Sequence, residues 1–337
     1  MFMIKSILVA GGAGYIGSHV CKALQGAGYQ PVTLDNFATG RRDFVRFGPL
    51  VEASVSDAQT VRSAVMKYGI EAVIDLAGSI EVPESVRDPL KYYENNFAVK
   101  ISWLRTLSES GVKAVVFSST AAVYGEPVRV PITESHPLLP KNPYGQSKLA
   151  YEHLLRHFHA AGGPKWMALR YFNAAGASFD GDIGECHEPE THLIPLACMA
   201  QLGLGPALSI FGNDYPTPDG TAVRDYIHVL DLASAHVLAV DALLSGAECG
   251  AYNLGNGIGT SIGQIMATFE RLGLPVPHRF QPRRPGDPSQ LVADSSAAKA
   301  ALKWQPRYAD VDTIIQSAYR WHRLVASINV QQSGSSG

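Results

Sequence analysis

Residues 6–20 read SILVAGGAGYIGSHV. A short strand-like run, SILVA, meets a glycine-rich turn, and a helical pattern follows from about Tyr15 to Ala27. The turn holds Gly11-x-x-Gly14-x-x-Gly17. Glycines at that spacing permit a tight turn, close approach of a pyrophosphate and close packing of the helix on the strand. The helix N-terminus then offers free N–H groups and a partial positive charge to phosphates. A glycine triplet alone is a weak signal; the strand before it and the helix after it make it a strong one.

The pattern repeats outward. QPVTLD (30–35), a weaker run near LVEA (50–53), EAVIDLAG (71–78), KAVVFSS (113–119) and WMALRYFN (166–173) are apolar, with helical segments between most of them. Their near-continuous hydrophobicity is that of parallel strands covered by helices on both faces. The expected fold class is therefore α/β, a doubly wound parallel-sheet Rossmann fold. Asp35 ends the second run, 18 residues past Gly17. A carboxylate there bonds ribose hydroxyls and repels a 2′-phosphate, which favours NAD over NADP. Arg41 and Arg42 follow in what reads as a solvated loop.

After about residue 173 the chain becomes loop-rich, with more Gly, Pro and Asp. This predicts residues 1–173 as the dinucleotide-binding domain. Residues 174–330 read as a smaller mixed α/β substrate-binding region, some segments of which return to the first. Residues 331–337 read as a disordered tail or expression remnant. With 337 residues and a net charge of −2, the chain has no electrostatic footprint for nucleic acid or acidic membranes. Charged residues make up 17% of it, below the usual value of about 25%, which suits much buried surface. Cys21, Cys186, Cys198 and Cys249 form no C-x-x-C pair. A disulfide or zinc framework is not expected, no metal is assigned, and reduced thiols in the cytoplasm are. Neither a signal peptide nor a membrane-spanning run is apparent.

The stretch NPYGQSKLAYEHLL (142–155) reads as a helix start, with Asn142 before and Pro143 inside the first turn. Tyr144 and Lys148 then lie at i and i+4 on one face. Taken alone, that pair is more often a snorkelling lysine beside a half-buried tyrosine. The company it keeps changes the reading. The Gly11–Gly17 turn, Asp35, FSST (117–120) and Tyr144-x-x-x-Lys148 together resemble the extended short-chain dehydrogenase/reductase superfamily. Within it, LDNFATG (34–40), ESVRDPLKYYENN (84–96), RYFNAAGA (170–177), IFGNDYPTPDGTAVRDYIHVLDLASAH (210–236) and PRRPGDPSQLVAD (282–294) resemble the UDP-glucose 4-epimerase family. The likeness spans nearly the whole chain.

That resemblance implies an NAD-dependent inversion at C4 of a UDP-sugar, UDP-glucose and UDP-galactose foremost, through a transient 4-keto sugar. It implies Thr120, Tyr144 and Lys148 as the catalytic set. The lysine ammonium and the nicotinamide ring are expected to lower the phenol's pKa from its usual value of about 10. Cofactor contacts are implied at Gly11, Gly14, Tyr15, Ile16, Gly17, Asp35, Asn36, Ser54, Val55, Leu76, Ala77, Gly78, Asn96, Ser118, Tyr144, Lys148 and Tyr171. For the substrate it implies Thr120, Tyr144, Phe172, Asn173, His192 and Leu193. Phe211 is expected in the uridine pocket, Arg224 and Arg284 at the diphosphate, Asp287 at a ribose hydroxyl and Leu291 near the sugar. A homodimer is implied, formed through helices at roughly 88–109 and 143–160.

Two residues depart from the family pattern. Ile80 stands where a lysine usually approaches the cofactor phosphates, and Ser54 where an aspartate often bonds adenine. Ile80 points to weaker retention of NAD, whereas the Ser54 hydroxyl either replaces the aspartate's hydrogen bond or the contact is lost. Leu291 is intermediate between the tyrosine that excludes acetamido sugars and the smaller residues that admit them, so UDP-N-acetylglucosamine and UDP-xylose/UDP-arabinose stay open as substrates. Ala121 and Ala122 follow Thr120 where sugar-nucleotide dehydratases carry an acid, which disfavours dehydration. A reductase or a non-catalytic dinucleotide-binding protein are further alternatives. His228, Trp304 and Trp321 read as structural, and Asp231 as the N-cap of the helix after it.

Overall fold

The structure, a computed structural model, describes residues 4–284 and 286–334, with side chains as far as residue 328. Strands β1 (Ser6–Ala10), β2 (Gln30–Asp35), β3 (Leu50–Glu52), β4 (Ile70–Asp75), β5 (Ala114–Thr120) and β6 (Lys165–Tyr171) alternate with helices. These are α1 (Tyr15–Gly26), α2 (Ala58–Tyr68), α3 (Val82–Arg87), α4 (Pro89–Tyr93), α5 (Val99–Glu109) and α6 (Pro143–Ala160). Beyond them come β7 (Asn173–Ala175), α7 (Leu193–Gln201), β8 (Leu208–Phe211), β9 (Val223–His228), α8 (Val229–Leu244) and β10 (Gly250–Leu254). β11 (Gly259–Ser261), α9 (Ile262–Arg271), β12 (His278–Gln281), β13 (Gln290–Leu291), α10 (Ser296–Leu302) and α11 (Val311–Gly334) complete the described chain.

Seven strands form one sheet in the order β10-β6-β5-β4-β1-β2-β3, and every pairing in it is parallel. Alternate side chains divide between its two faces. Ile7, Val9, Ala72, Ile74 and Val116 join α1 and α8 in one core. Leu8, Ala10, Val73, Val115 and Phe117 join α2, α5 and α6 in the other. Both faces are dry, which is why these strands read as unbroken apolar runs. The doubly wound fold read from the sequence is the one observed. The chain runs outward from β1 to β3, then crosses to β4 on the other side of β1. The carboxyl ends of β1 and β4 therefore flank the switch point, where such sheets open a crevice.

The later segments build a second layer. β7, β9, β11 and β13 share a small sheet, β8 pairs with β12, and α7, α9 and α11 enclose a separate apolar cluster around Ile194, Tyr226, Ile265 and Phe269. α8 and β10 pack on the seven-stranded sheet instead. No helix of the described residues is long and apolar enough to cross a membrane.

Several local expectations change. The helix expected over 88–109 is broken: a π-helical turn, Glu94–Ala98, separates α4 from α5. The wider turn carries Asn96 to 1% exposure, where its amide accepts from Ser79 N (2.8 Å) and donates to Ser79 O (3.0 Å) and Ser147 Oγ (3.2 Å). Such turns recur at functional sites. Asp231 is not the N-cap of α8; His228 is, its Nδ1 accepting from Leu230 N at 3.1 Å. Asp231 is buried and accepts from Arg307 N and Tyr308 N instead. α11 continues through residues 331–334 of the expected tail, since extending a formed helix is cheap; residues 335–337 lie outside the described residues. Trp304 and Trp321 are buried packing residues, as read.

Burial holds three histidines neutral. Desolvation lowers His19 and His236 to about 4 and His228 to about 3. Each ordinarily titrates at 6.5 in an unfolded chain. Between pH 6.5 and 4 the unfolded chain binds protons that the native state refuses, so stability rises with pH there and is lost as pH falls. The slope of unfolding free energy against pH is expected to approach about three protons from these groups. A flat profile in urea titrations would mean that the imidazoles charge inside the fold.

Candidate active site

The site begins with backbone. Gly11 has φ +78°, and a Cβ there would meet Leu76 and Ala77 of the segment after β4 at 3.0 Å. A Cβ on Gly17 would lie 2.0 Å from Gly11 O. Both glycines are thus required by the turn itself. Gly14 is different: its Cβ would meet only Gly11 O, at 3.3 Å. The bare surface there serves the space in front of α1, and Gly14 caps that helix without any side-chain hydrogen bond. An open helix N-terminus without a side-chain cap suits a pyrophosphate. Asp35 stands at the neighbouring strand end, 7% exposed. One oxygen accepts from Ala13 N (3.0 Å) and the other from Phe37 N (2.8 Å), which leaves lone pairs for ribose hydroxyls. The donor set fits NAD.

Other residues expected to meet the cofactor are held by contacts within the protein. Leu76 N donates to Ala10 O, and Gly78 lacks a Cβ because Asn96 Oδ1 would meet it at 2.7 Å. Ile16 and Val55 are half-buried, and Asn36 turns its Oδ1 to Ala38 N. Tyr15 points its hydroxyl to Gly176 O (2.6 Å), and Tyr171 pairs its own with His236. The Ser54 hydroxyl is engaged with Ser56 (2.8 Å). Ile80 is 40% exposed. Ile80→Lys is expected to tighten NAD about fivefold, as for a half-exposed charge contact of ~1 kcal/mol. Equilibrium titration with NAD measures it; unchanged affinity would place residue 80 out of reach.

The reactive set lies where β5 ends and α6 begins. Asn142 caps α6 by accepting from Gly145 N (2.9 Å), with Pro143 in the first turn. That cap fixes the phase of the helix, so Tyr144 and Lys148 face Ser118 and Thr120. Lys148 is 3% exposed and donates from Nζ to Ser118 O (3.0 Å). Thr120 Oγ1 accepts from Ala122 N (3.1 Å), and its hydroxyl lies beside the Tyr144 phenol. The Tyr92 ring packs edge-on against Tyr144, with centroids 6.3 Å apart.

The electrostatics depart from expectation. Burial raises the Tyr144 phenol above its ordinary value, and only the Thr120 hydroxyl pulls it down. Lys148 gives little help because it is itself lowered to about 7, first by desolvation and then by the Lys100 cation. An ammonium that close to half charge at neutral pH is not the full cation that the sequence reading assumed.

Lys100 belongs to a buried group that sequence reasoning missed. It is 1% exposed and donates to Asp75 Oδ1 (2.7 Å) and Ala77 O (2.9 Å), while the Tyr151 hydroxyl donates to Asp75 Oδ2 (3.1 Å). Next to it, Arg170 forks onto Glu152 (3.0 and 2.6 Å) and reaches the Tyr124 hydroxyl (2.8 Å). The available signal was spacing: Tyr151 and Glu152 fall three and four residues after Lys148, on its own helix face.

On the substrate side the structure gathers four expected residues. Arg224 pairs with Asp287, Asp287 N donates to Arg284 O, and the Arg284 guanidinium lies 4.0 Å from the Phe211 ring centroid. Leu291 and Phe172 border the apolar cluster of Leu149 with Val123 and Tyr124, which lie in the turn that follows Thr120. Asn173 begins β7, and Leu193 begins α7. His192 commits its Nδ1 to Glu185 and Glu190 (2.9 Å each).

A bare-glycine cradle, a ribose carboxylate and a tyrosine–lysine pair on one crevice define a dinucleotide-dependent enzyme of the short-chain type. The chain belongs to the NAD dependent epimerase/dehydratase family, whose profile matches residues 7–255. Among its relatives, UDP-glucose 4-epimerase of Rhizobium leguminosarum bv. trifolii is 47% identical over 94% of this chain and 97% of its own. UDP-glucose 4-epimerase from Brucella ovis, solved in complex with NAD, is 48% identical with a TM-score of 0.91 over 94% of this chain and 97% of that one. The Stenotrophomonas maltophila UDP-glucose-4-epimerase, solved with NAD and formylated UDP-arabinopyranose, is 37% identical with a TM-score of 0.93, covering 96% and 99%.

Proposed function

We propose that Tyr144, Thr120 and Lys148 carry out C4 epimerisation of a UDP-sugar, and that Arg224, Arg284, Asp287 and Phe211 hold its UDP portion. The protein is an NAD-dependent epimerase that interconverts UDP-glucose and UDP-galactose. The observation that carries the residue roles is the convergence of Tyr144, Thr120 and Lys148 on one crevice beside the open N-terminus of α1.

Held by the Gly11–Gly17 turn and Asp35, NAD would supply reversible hydride transfer at C4. Around that exchange the chain moves a proton. Tyr144 accepts it from the sugar's 4-hydroxyl and later returns it, while Thr120 holds the same oxygen by a hydrogen bond. Lys148, fixed on Ser118 O, is placed to bond the nicotinamide ribose. A keto sugar that turned over about its diphosphate link before hydride and proton were returned would leave with C4 inverted. The positions after Thr120 are Ala121 and Ala122, so no acid stands there for an elimination.

The residues held at the site also support finer readings. Leu90, Tyr93 and Ile101 expose apolar surface on α4 and α5, which supports a homodimer through α5 and α6. Free cysteines suit a cytoplasmic enzyme of galactose metabolism. Incubation of the purified protein with UDP-glucose, UDP-N-acetylglucosamine or UDP-xylose, followed by NMR of the anomeric protons, tests the activity. The C4 epimer of UDP-glucose is expected without net NADH. The rates on the other two report what Leu291 admits. No epimer from any of the three, with NAD supplied, would overturn the assignment.

A further inference from the structure

The loop between β7 and α7 carries ECHEPETH, residues 185–192, and the epimerisation chemistry gives no role to Glu185, His187 or Glu190. Glu185, His187, Glu190 and His192 bring four potential ligand atoms within 4.8 Å of one another. His192 Nδ1 lies 2.9 Å from both Glu185 Oε1 and Glu190 Oε1. His187 Nδ1 lies 3.2 Å from Glu185 Oε1 and 3.7 Å from Glu190 Oε2. Tetrahedral zinc with ligands at about 2.0–2.1 Å separates its donor atoms by about 3.3 Å. With Glu190 Oε2 as that residue's donor, the distances of 2.9, 3.2 and 3.7 Å (His192 to Glu185, His187 to Glu185, His187 to Glu190) bracket that edge length.

An independent observation points to a missing partner. The Glu190 side chain is 5% exposed, yet its Oε2 makes no hydrogen bond, and His187 Nδ1 meets Glu185 Oε1 at 3.2 Å without the alignment of one. A buried carboxylate oxygen and an imidazole nitrogen so poorly satisfied side by side are costly as a purely protein arrangement. A divalent cation between them removes both deficits. The donor types, two imidazoles and two carboxylates, suit zinc among first-row metals.

We infer that Glu185, His187, Glu190 and His192 form a structural site for a divalent cation of the zinc type. It ties together three parts of the molecule. The Tyr15 ring, at the start of α1, sits edge-on to His187 with centroids 6.2 Å apart. Trp321 of α11 donates to Glu185 O at 2.8 Å. Thr191 donates to Glu81 Oε1 at 3.1 Å, beside the segment that follows β4. A cation there rivets the entrance of α7 against the cofactor cradle. The sequence reading looked for zinc among cysteines and passed over this histidine–glutamate pattern.

The test measures metal in the untagged wild-type protein after dialysis against micromolar zinc followed by metal-free buffer. One zinc per chain is expected by elemental analysis, together with a rise in Tm when zinc is restored to chelator-treated protein. Cobalt added to the metal-free protein is expected to give the intense visible bands of a tetrahedral site. His187→Gln/Glu190→Gln is expected to weaken zinc by more than the roughly 10–100-fold that outer-shell changes cost. If that variant does not fold, X-ray absorption at the zinc edge of the wild type decides, with a nitrogen/oxygen shell that includes imidazole expected. Substoichiometric zinc with no change in Tm, sulfur in the shell, or full zinc retention by the double variant would each overturn the site.

Discussion

Tyr144→Phe is expected to fold, to keep NAD bound and to lose turnover by about 10²–10⁴-fold, the usual range for a positioned acid–base group. The substitution removes one oxygen and leaves the ring against Tyr92, so packing hardly changes. What disappears is the phenol beside Thr120 that is proposed to take the proton from the sugar hydroxyl. Burial raises Tyr144 while Lys148 sits near 7, so the protein's own groups favour the phenol, and the positive ring of a bound cofactor would favour the phenolate. The loss is therefore expected in kcat, with little change in binding of UDP. Steady-state kinetics on UDP-galactose, with cofactor content and circular dichroism as controls, measure it. Near wild-type kcat would remove Tyr144 from the mechanism.

Lys100→Met is expected to cost about 3–5 kcal/mol of stability, the penalty for stranding one member of a buried ion pair. Asp75 is 0% exposed and Lys100 1%, at 2.7 Å, and Tyr151 alone cannot neutralise the carboxylate that remains. Lys100→Met with Asp75→Asn is expected to recover most of the loss, since a buried pair and a neutral replacement are often similar in stability. Urea unfolding of the two variants and the wild type gives both numbers. The single variant also removes the cation that helps to hold Lys148 low, so Lys148 is expected to titrate higher. A single-variant loss under about 1 kcal/mol would mean that Asp75 is not a buried charge needing Lys100.

Much of this was legible in one dimension because it depends on local backbone chemistry. The Gly11–Gly17 turn, the Asp35 strand end, the Asn142-Pro143 cap and the i,i+4 placement of Tyr144 and Lys148 each follow from a few adjacent residues. Periodicity likewise placed the strands from β1 to β6, since a sheet buried on both faces leaves no polar alternation to misread. The family motifs assigned Arg224, Arg284, Asp287 and Phe211 to one place, and the fold gathers them.

Tertiary structure decided what depends on groups distant in the chain. The π-helical turn at Glu94–Ala98 exists because Asn96 finds Ser79 and Ser147, and a periodic pattern over 88–109 cannot show that. The protonation of Tyr144 and Lys148 is set by burial and by Lys100, which stands 48 residues before Lys148 in the chain. Asp231 lost its expected place as N-cap to the structural His228, and the N–H groups that claim Asp231 come from Arg307 and Tyr308. Local sequence sets which backbone conformations are cheap; desolvation and long-range partners set charge, and these exist only once the chain has folded.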